Sequence, residues 1–104
     1  MSIETYELVV QETSTHDGID VDVLDEDGLV ETTTQVTYAD YDLMAEREGE
    51  CPDPVEEEFT VDATSIDLQL ERGERDFEFR VIAGEEEAAR ATVTDTDWRL
   101  VHTG

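Results

Sequence analysis

The strongest pattern in the chain is a pair of alternating apolar and polar runs within residues 65–82. The apolar positions of the two runs alternate with polar ones: Ile66, Leu68, Leu70, Phe77, Phe79 and Val81. A period of two is typical of a strand that buries one face. The runs are separated by a polar segment with Gly73, a residue type that supplies the left-handed backbone of hairpin loops. The pattern predicts a β-hairpin at the centre of the core.

Comparable strand patterns occur elsewhere in the chain and predict five further strands and, at residues 59–61, a short strand or the start of one. They cover residues 3–12, 19–24, 29–38, 59–61, 88–94 and 98–103. Turn signals separate them, including Asp-Gly dipeptides that end at Gly18 and Gly28. In the last segment, the alternation places Trp98, Leu100 and His102 on one side. Roughly seven short strands divided by turns predict an all-β fold, mainly an antiparallel sandwich or a small barrel.

One short helix is predicted near residues 39–48. Thr37 is the expected N-cap, Leu43 and Met44 would face the core, and Gly49 would end the helix. An α+β alternative has a second helical turn near residues 85–91, because that run contains good helix formers. A turn followed by a strand is the favoured interpretation of the same run.

Residues 49–58 are predicted to form an acidic surface loop. Pro52 and Pro54 disfavour regular structure and bias the residues before them towards extended backbone. The loop divides two β halves, and neither half is large enough to be stable as a domain of its own. Residues 1–104 are therefore expected to be a single domain.

The charge of the chain is extreme. Thirty acidic residues face six basic ones, giving a formal net charge of −24, and all six basic residues are arginine. Such a surface repels itself in dilute buffer, and molar salt reduces the Debye length to about 3 Å and screens that repulsion. The composition resembles that of proteins from salt-accumulating haloarchaea and predicts adaptation to molar salt. The alternative is an acidic protein of an ordinary cell, such as a nucleic-acid mimic or a binder of basic proteins.

The composition also narrows the classes of partner. Direct nucleic-acid binding is not expected, because the arginines are dispersed along the chain and phosphate neutralisation needs a basic patch. No apolar run approaches the length of a membrane span, so no membrane association is expected. The single cysteine excludes an intrachain disulfide, and the first residues carry neither a basic region nor a signal core. A cytoplasmic location is the expectation.

Candidate chemistry is sparse. Cys51 with either histidine would supply a nucleophile and a base, but no orienting group or family signature accompanies them, and the surrounding acids disfavour a thiolate. His16 and His102 lack metal-ligand spacing. We therefore assign no catalytic, cofactor-binding or metal-binding residue. Whether Cys51, His16 or His102 has a chemical role is left open by the sequence.

Two functional hypotheses follow, with a third possibility beside them. The leading one is a small protein-binding or accessory module that acts through a sheet face or a strand edge. Trp98 with Arg99 would suit an interface hot spot, although a core tryptophan is an equal interpretation. The alternative is a small enzyme, or an enzyme subunit, with a pocket in the β framework. Its first suspects stand out against the acidic background: Tyr38, Tyr41, His102 and Cys51. The third possibility is a homodimer.

Overall fold

The computed structural model describes residues 3–45, 52–62 and 65–103. Within these ranges the chain forms nine strands and one short 3-10 turn. The strands are β1 Glu4–Glu12, β2 Gly18–Leu24, β3 Val30–Thr37, β4 Leu43–Ala45, β5 Val55–Val61, β6 Ile66–Arg72, β7 Asp76–Ala83, β8 Glu86–Thr94 and β9 Leu100–His102. The prediction of an all-β fold is confirmed, with nine strands in the described residues where roughly seven were expected.

All pairings are antiparallel. One sheet has the order β3-β2-β1-β5, a second has the order β6-β7-β8, and β4 pairs with β9 in a short ribbon. The inward side chains of the two larger sheets belong to one buried cluster, which places the core between them. Its fully buried members include Leu8, Val10, Ile19, Val21, Val23, Phe77, Phe79 and Val81. Apolar residues at alternate positions on both sheets therefore form a single core, as expected for a sandwich.

The predicted hairpin is confirmed, although only β7 is central and β6 lies at the end of its sheet with half-buried apolar residues. The predicted role of its glycine is wrong. Strands β6 and β7 pair in register, with Leu70 opposite Phe79. Gly73 does not have a positive φ. A Cβ atom at Gly73 would lie 2.2 Å from the Asp76 Oδ1 atom, and the Gly73 N–H donates to the Asp76 carbonyl oxygen at 3.0 Å. Backbone handedness therefore does not explain the glycine, and the nearest obstacle to a larger residue is the end of the flexible Asp76 side chain.

The predicted helix at 39–48 is wrong for its described part. Tyr38–Tyr41 form a single 3-10 turn, and Thr37 makes no side-chain capping hydrogen bond. Asp42 ends the turn in the left-handed region, with φ of 57°. Leu43–Ala45 then pair with β9, which buries Leu43 and leaves Met44 exposed. Pairing with a distant strand outweighs local helix propensity. Residues 46–49 lie outside the described residues.

Three other predicted segments can be compared with the structure. Strand β5 begins at Val55 and pairs with β1, so residues 55–58 extend a sheet and do not belong to a loop. Residues 49–51 of that segment lie outside the described ranges. Glu86–Thr94 form a strand after a turn, which confirms the favoured interpretation and makes the helical alternative wrong. Trp98 lies in a turn and is buried in the core. It was predicted to lie on a strand, but Arg99 adopts a φ of 52° and β9 starts only at Leu100.

Candidate functional site

Strand β3 ends the four-stranded sheet and has no strand partner on its outer side among the described strands. Four strands occupy ends of the two larger sheets, and they differ in charge. Strand β3 carries one acidic residue, Glu31, whereas β5 carries Glu56, Glu57 and Glu58 in a row. Strands β6 and β8 each carry two acids and one arginine. In a chain with 35% charged residues, β3 is the edge strand with the fewest charged residues.

The backbone of β3 presents hydrogen-bonding groups at this edge. The Tyr38 N–H donates to the Asp17 carbonyl oxygen at 2.9 Å, and the register continues without a shift from Gly18 to Val23. Positions that bond to a neighbouring antiparallel strand alternate along the chain. The N–H groups of Thr33 and Gln35 therefore point away from β2, towards the outer side of the sheet.

Apolar side chains are exposed where β3 begins. Leu29 is 65% exposed and Val30 is 56% exposed, and they adjoin each other in the chain. Single exposed apolar residues need no explanation. Leu29 and Val30, however, are an adjacent pair, and they lie beside a sheet edge with a single charged residue. We name the outer side of β3 together with Leu29 the β3 edge.

A second group of polar residues lies at the end of β1. The Glu12 side chain is buried, His16 Nδ1 lies 2.5 Å from Glu12 Oε1, and the Tyr38 hydroxyl donates to Glu12 Oε2 at 2.7 Å. His16 Nδ1 and Glu12 Oε1 therefore share a hydrogen bond between a loop and the end of β1. His16 also has a φ of 60°, which residues other than glycine rarely adopt. The group joins three parts of the fold by hydrogen bonds.

The loop that carries His16 is held by a second carboxylate. The Thr13 and Thr15 hydroxyls donate to Asp17 Oδ1 at 2.6 and 2.7 Å. These bonds, with that of Thr13 as the main cause, lower the pKa of Asp17 below its ordinary value of 3.8. Asp17 is exposed, so this carboxylate organises the loop without being enclosed by it.

A third feature is an open depression of about 770 Å³ between the loop after β6 and the C-terminal turn and strand. Its lining contains basic, acidic, polar and apolar residues: Glu74, Arg75, Asp95, Thr96, Arg99, Leu100, Val101 and His102. We name it the arginine depression. Arg75 and Arg99 are far apart in the sequence, but the fold brings them to one surface.

The carboxylate in the wall of the arginine depression is already neutralised. Asp95 accepts two hydrogen bonds from the Arg72 guanidinium, at 2.7 and 2.8 Å. That guanidinium also lies 4.4 Å from the centre of the Phe77 ring. The Asp95 contact is the main cause of the raised pKa of Arg72. The pair fixes the C-terminal turn on the second sheet. The positive charge of Arg72 compensates the negative charge of Asp95 in the lining of the depression.

Of the four residues suspected in an enzyme, the three that the structure describes have separate contacts. Tyr38 is buried beside Glu12, Tyr41 packs edge-on against Phe77 at 5.1 Å, and His102 lines the arginine depression. Cys51 lies outside the described residues. Trp98 is only 5% exposed, so its core interpretation is confirmed. The sequence reasoning missed Glu12, whose place at the end of a strand gave no sign of burial among so many acids.

Two further observations limit the chemistry. Within residues 3–45, 52–62 and 65–103, no three His, Cys, Asp or Glu side chains form a group that would hold a metal ion. The described part of the chain has no helix with the length and apolar character needed to cross a membrane.

The chain matches no protein-family model, and comparisons with curated proteins and with solved structures give no match either. Functional inference therefore depends on the surfaces described above.

Proposed function

We propose that this protein is a halophile-adapted, cytoplasmic protein-binding module that takes up an extended segment of a partner at the β3 edge. The single observation that carries the proposal is the low charge of β3, which has one acid where β5 has three. Native proteins commonly protect sheet edges with charged residues. This chain has acids in abundance but leaves its β3 edge almost without them.

The surroundings of β3 suit strand addition. Main-chain groups of Thr33 and Gln35 would bond to an incoming strand, and side chains at alternate positions would set specificity. Leu29 and Val30 would be covered by apolar side chains of the partner. In molar salt, charge steering is screened, so hydrogen bonds and apolar contacts must supply the affinity. The expected partner segment is extended, low in acids and apolar at alternate positions.

The distribution of acids supports the halophilic part of the proposal. Acidic side chains lie along the outward positions of both larger sheets, for example Asp20 and Asp22 on β2 and Glu71 and Glu78 on β6 and β7. A mimic of nucleic acid would concentrate them on one surface. The cytoplasmic part is supported by composition, because the single cysteine allows no intrachain disulfide.

The test is affinity capture from the source lysate in molar KCl with two variants of one residue. Gln35→Pro removes the outward N–H of an exposed edge position, which a sheet edge tolerates. Gln35→Ala keeps that N–H and is the matched control. We expect a protein that binds the wild-type chain and Gln35→Ala but is lost with Gln35→Pro. Thermal melting in the same buffer checks that both variants are folded.

A second measurement locates the contact. On addition of the purified partner, the amides of Thr33 and Gln35 should gain protection from hydrogen exchange, while outward amides of β5 should not. Capture that survives Gln35→Pro, or protection confined to another edge, would overturn the proposal. Protection of the β3 amides in the isolated chain, with a dimer in sedimentation, would instead assign this edge to a homodimer.

A further inference from the structure

The arginines of this chain divide into two groups by their contacts. Three of the five described arginines have carboxylate partners: Arg72 contacts Asp95, Arg80 contacts Glu71, and Arg90 contacts Glu87. Arg75 and Arg99 form no ion pair with any residue that the structure describes. Both are exposed, and both line the arginine depression. With 30 acids in the chain, the lack of a carboxylate partner at two neighbouring arginines is unexpected.

The local charge of the arginine depression is opposite in sign to that of the whole chain. Asp95 is neutralised by Arg72, so the remaining charged groups of the lining are Arg75, Arg99 and the opposing Glu74, with His102 beside them. The balance is positive before His102 is counted. The molecule as a whole has a net charge of −24, so a lining of net positive charge is a local exception.

The backbone holds these groups in place. Arg99 has a φ of 52°, a left-handed conformation that is unfavourable for a residue other than glycine. Turn hydrogen bonds fix it, since the Arg99 N–H donates to Thr96 O and the Leu100 N–H donates to Asp95 O. The Asp95 N–H in turn donates to Arg75 O at 2.8 Å. The loop with Arg75 and the turn with Arg99 are therefore joined directly.

The geometry points to a binding site for a small oxyanion, a carboxylate or phosphate group, between Arg75 and Arg99 in the arginine depression. A guanidinium presents a planar set of donors that matches two oxygens of either group. The Thr96 hydroxyl and His102 are further lining groups able to donate hydrogen bonds. Glu74 adds one negative charge to the lining, which opposes ligands that carry many negative charges.

This site lies on the second sheet and the C-terminal turn, and it does not depend on the proposed function of the β3 edge. The test is an NMR titration of the labelled protein in molar KCl, in which KCl is replaced by potassium phosphate or potassium succinate at constant ionic strength. We expect saturable shifts at Arg75, Arg99 and His102 with at least one of the two anions. Saturation with phosphate alone, or with succinate alone, supports the site and identifies its ligand class.

Arg75→Gln and Arg99→Gln each remove one guanidinium group from an exposed position. Each should weaken binding by about tenfold or more. Arg90→Gln removes the same charge from an exposed strand position outside the depression and should change affinity by less than about twofold. If the turn fails to form in Arg99→Gln, Arg75→Gln still decides the question. Non-saturable shifts with both anions, or unchanged affinity in Arg75→Gln, would overturn the proposal.

Discussion

The Tyr38 hydroxyl donates a hydrogen bond of 2.7 Å to the Glu12 carboxylate inside the protein. Tyr38 is 1% exposed and Glu12 is 6% exposed. Tyr38 begins the 3-10 turn after β3, and Glu12 ends β1, so the contact ties the end of one strand to the beginning of a turn. A buried carboxylate is costly unless hydrogen-bonded donors stabilise it. Tyr38 is one of those donors.

The first prediction is that Tyr38→Phe lowers the free energy of unfolding by about 1.5–3 kcal/mol, the usual worth of a hydrogen bond to a charged group. Urea denaturation in molar KCl measures the change. Tyr41→Phe is the matched control, because Tyr41 is half-buried and its ring packs edge-on against Phe77. That variant should stay within about 0.5 kcal/mol of wild type. Equal effects of the two substitutions would contradict the role given to the Glu12 contact.

The second prediction concerns Asp17 and acid. Its pKa is lowered in the folded state by bonds from Thr13 and Thr15. A lowered pKa gives stability that is present above the unfolded value of 3.8 and is lost as pH falls through the folded value. Wild type should therefore lose stability relative to Asp17→Asn as the solution is acidified below that value.

Urea midpoints across the acid range measure this difference, and carboxyl NMR gives the pKa directly. Asp40→Asn, at an exposed position of the 3-10 turn, serves as a control and should not change the slope. A pKa of Asp17 at or above its ordinary value would contradict the hydrogen bonds from the two threonines.

The strands could be predicted from sequence because their signal is local. In the central hairpin, each apolar position from Phe77 to Val81 is fully buried, as a period of two requires. The helix prediction failed at Asp42 and Leu43 because the pairing of β4 with β9 joins residues far apart in sequence. No local pattern contains that information.

The candidate sites depend even more on tertiary placement. The low charge of β3 is visible in the sequence, but its position at the sheet edge is not, because strand order is not encoded locally. Arg75 and Arg99 are 24 positions apart, and they reach one surface through the pairing of β7 with β8 and the adjacent hydrogen bond from Asp95 to Arg75. Among 30 acids, the buried Glu12 could be recognised only from its contacts in the fold.

The third prediction is that Gly18→Ala is strongly destabilising. A Cβ atom at Gly18 would lie 2.1 Å from the Val36 carbonyl oxygen. Since this oxygen belongs to the backbone of the paired strand, β2 and β3 must separate locally to accept the methyl group. We expect a loss of about 2 kcal/mol or more, in the range of overpacked core substitutions. Gly28→Ala is the control, because its Cβ meets no atom within 4 Å and only its φ of 82° opposes the change. A smaller effect at Gly18 than at Gly28 would contradict the close strand approach.

The last prediction tests adaptation to salt. Acidic side chains outnumber basic ones by five to one, and repulsion among them weakens as KCl increases. The melting temperature should therefore rise from dilute buffer to molar KCl by about 4–8 °C for each kcal/mol gained.

Replacing Glu56, Glu57 and Glu58 by glutamine removes three adjacent exposed charges. That variant should melt higher than wild type in dilute buffer and gain less from KCl. Because chloride does not act on stability as strongly as sulfate or phosphate does, the gain reports mainly on charge screening. A melting temperature that does not change with KCl would show that the acids do not destabilise the fold, and the halophilic interpretation would then lose its physical basis.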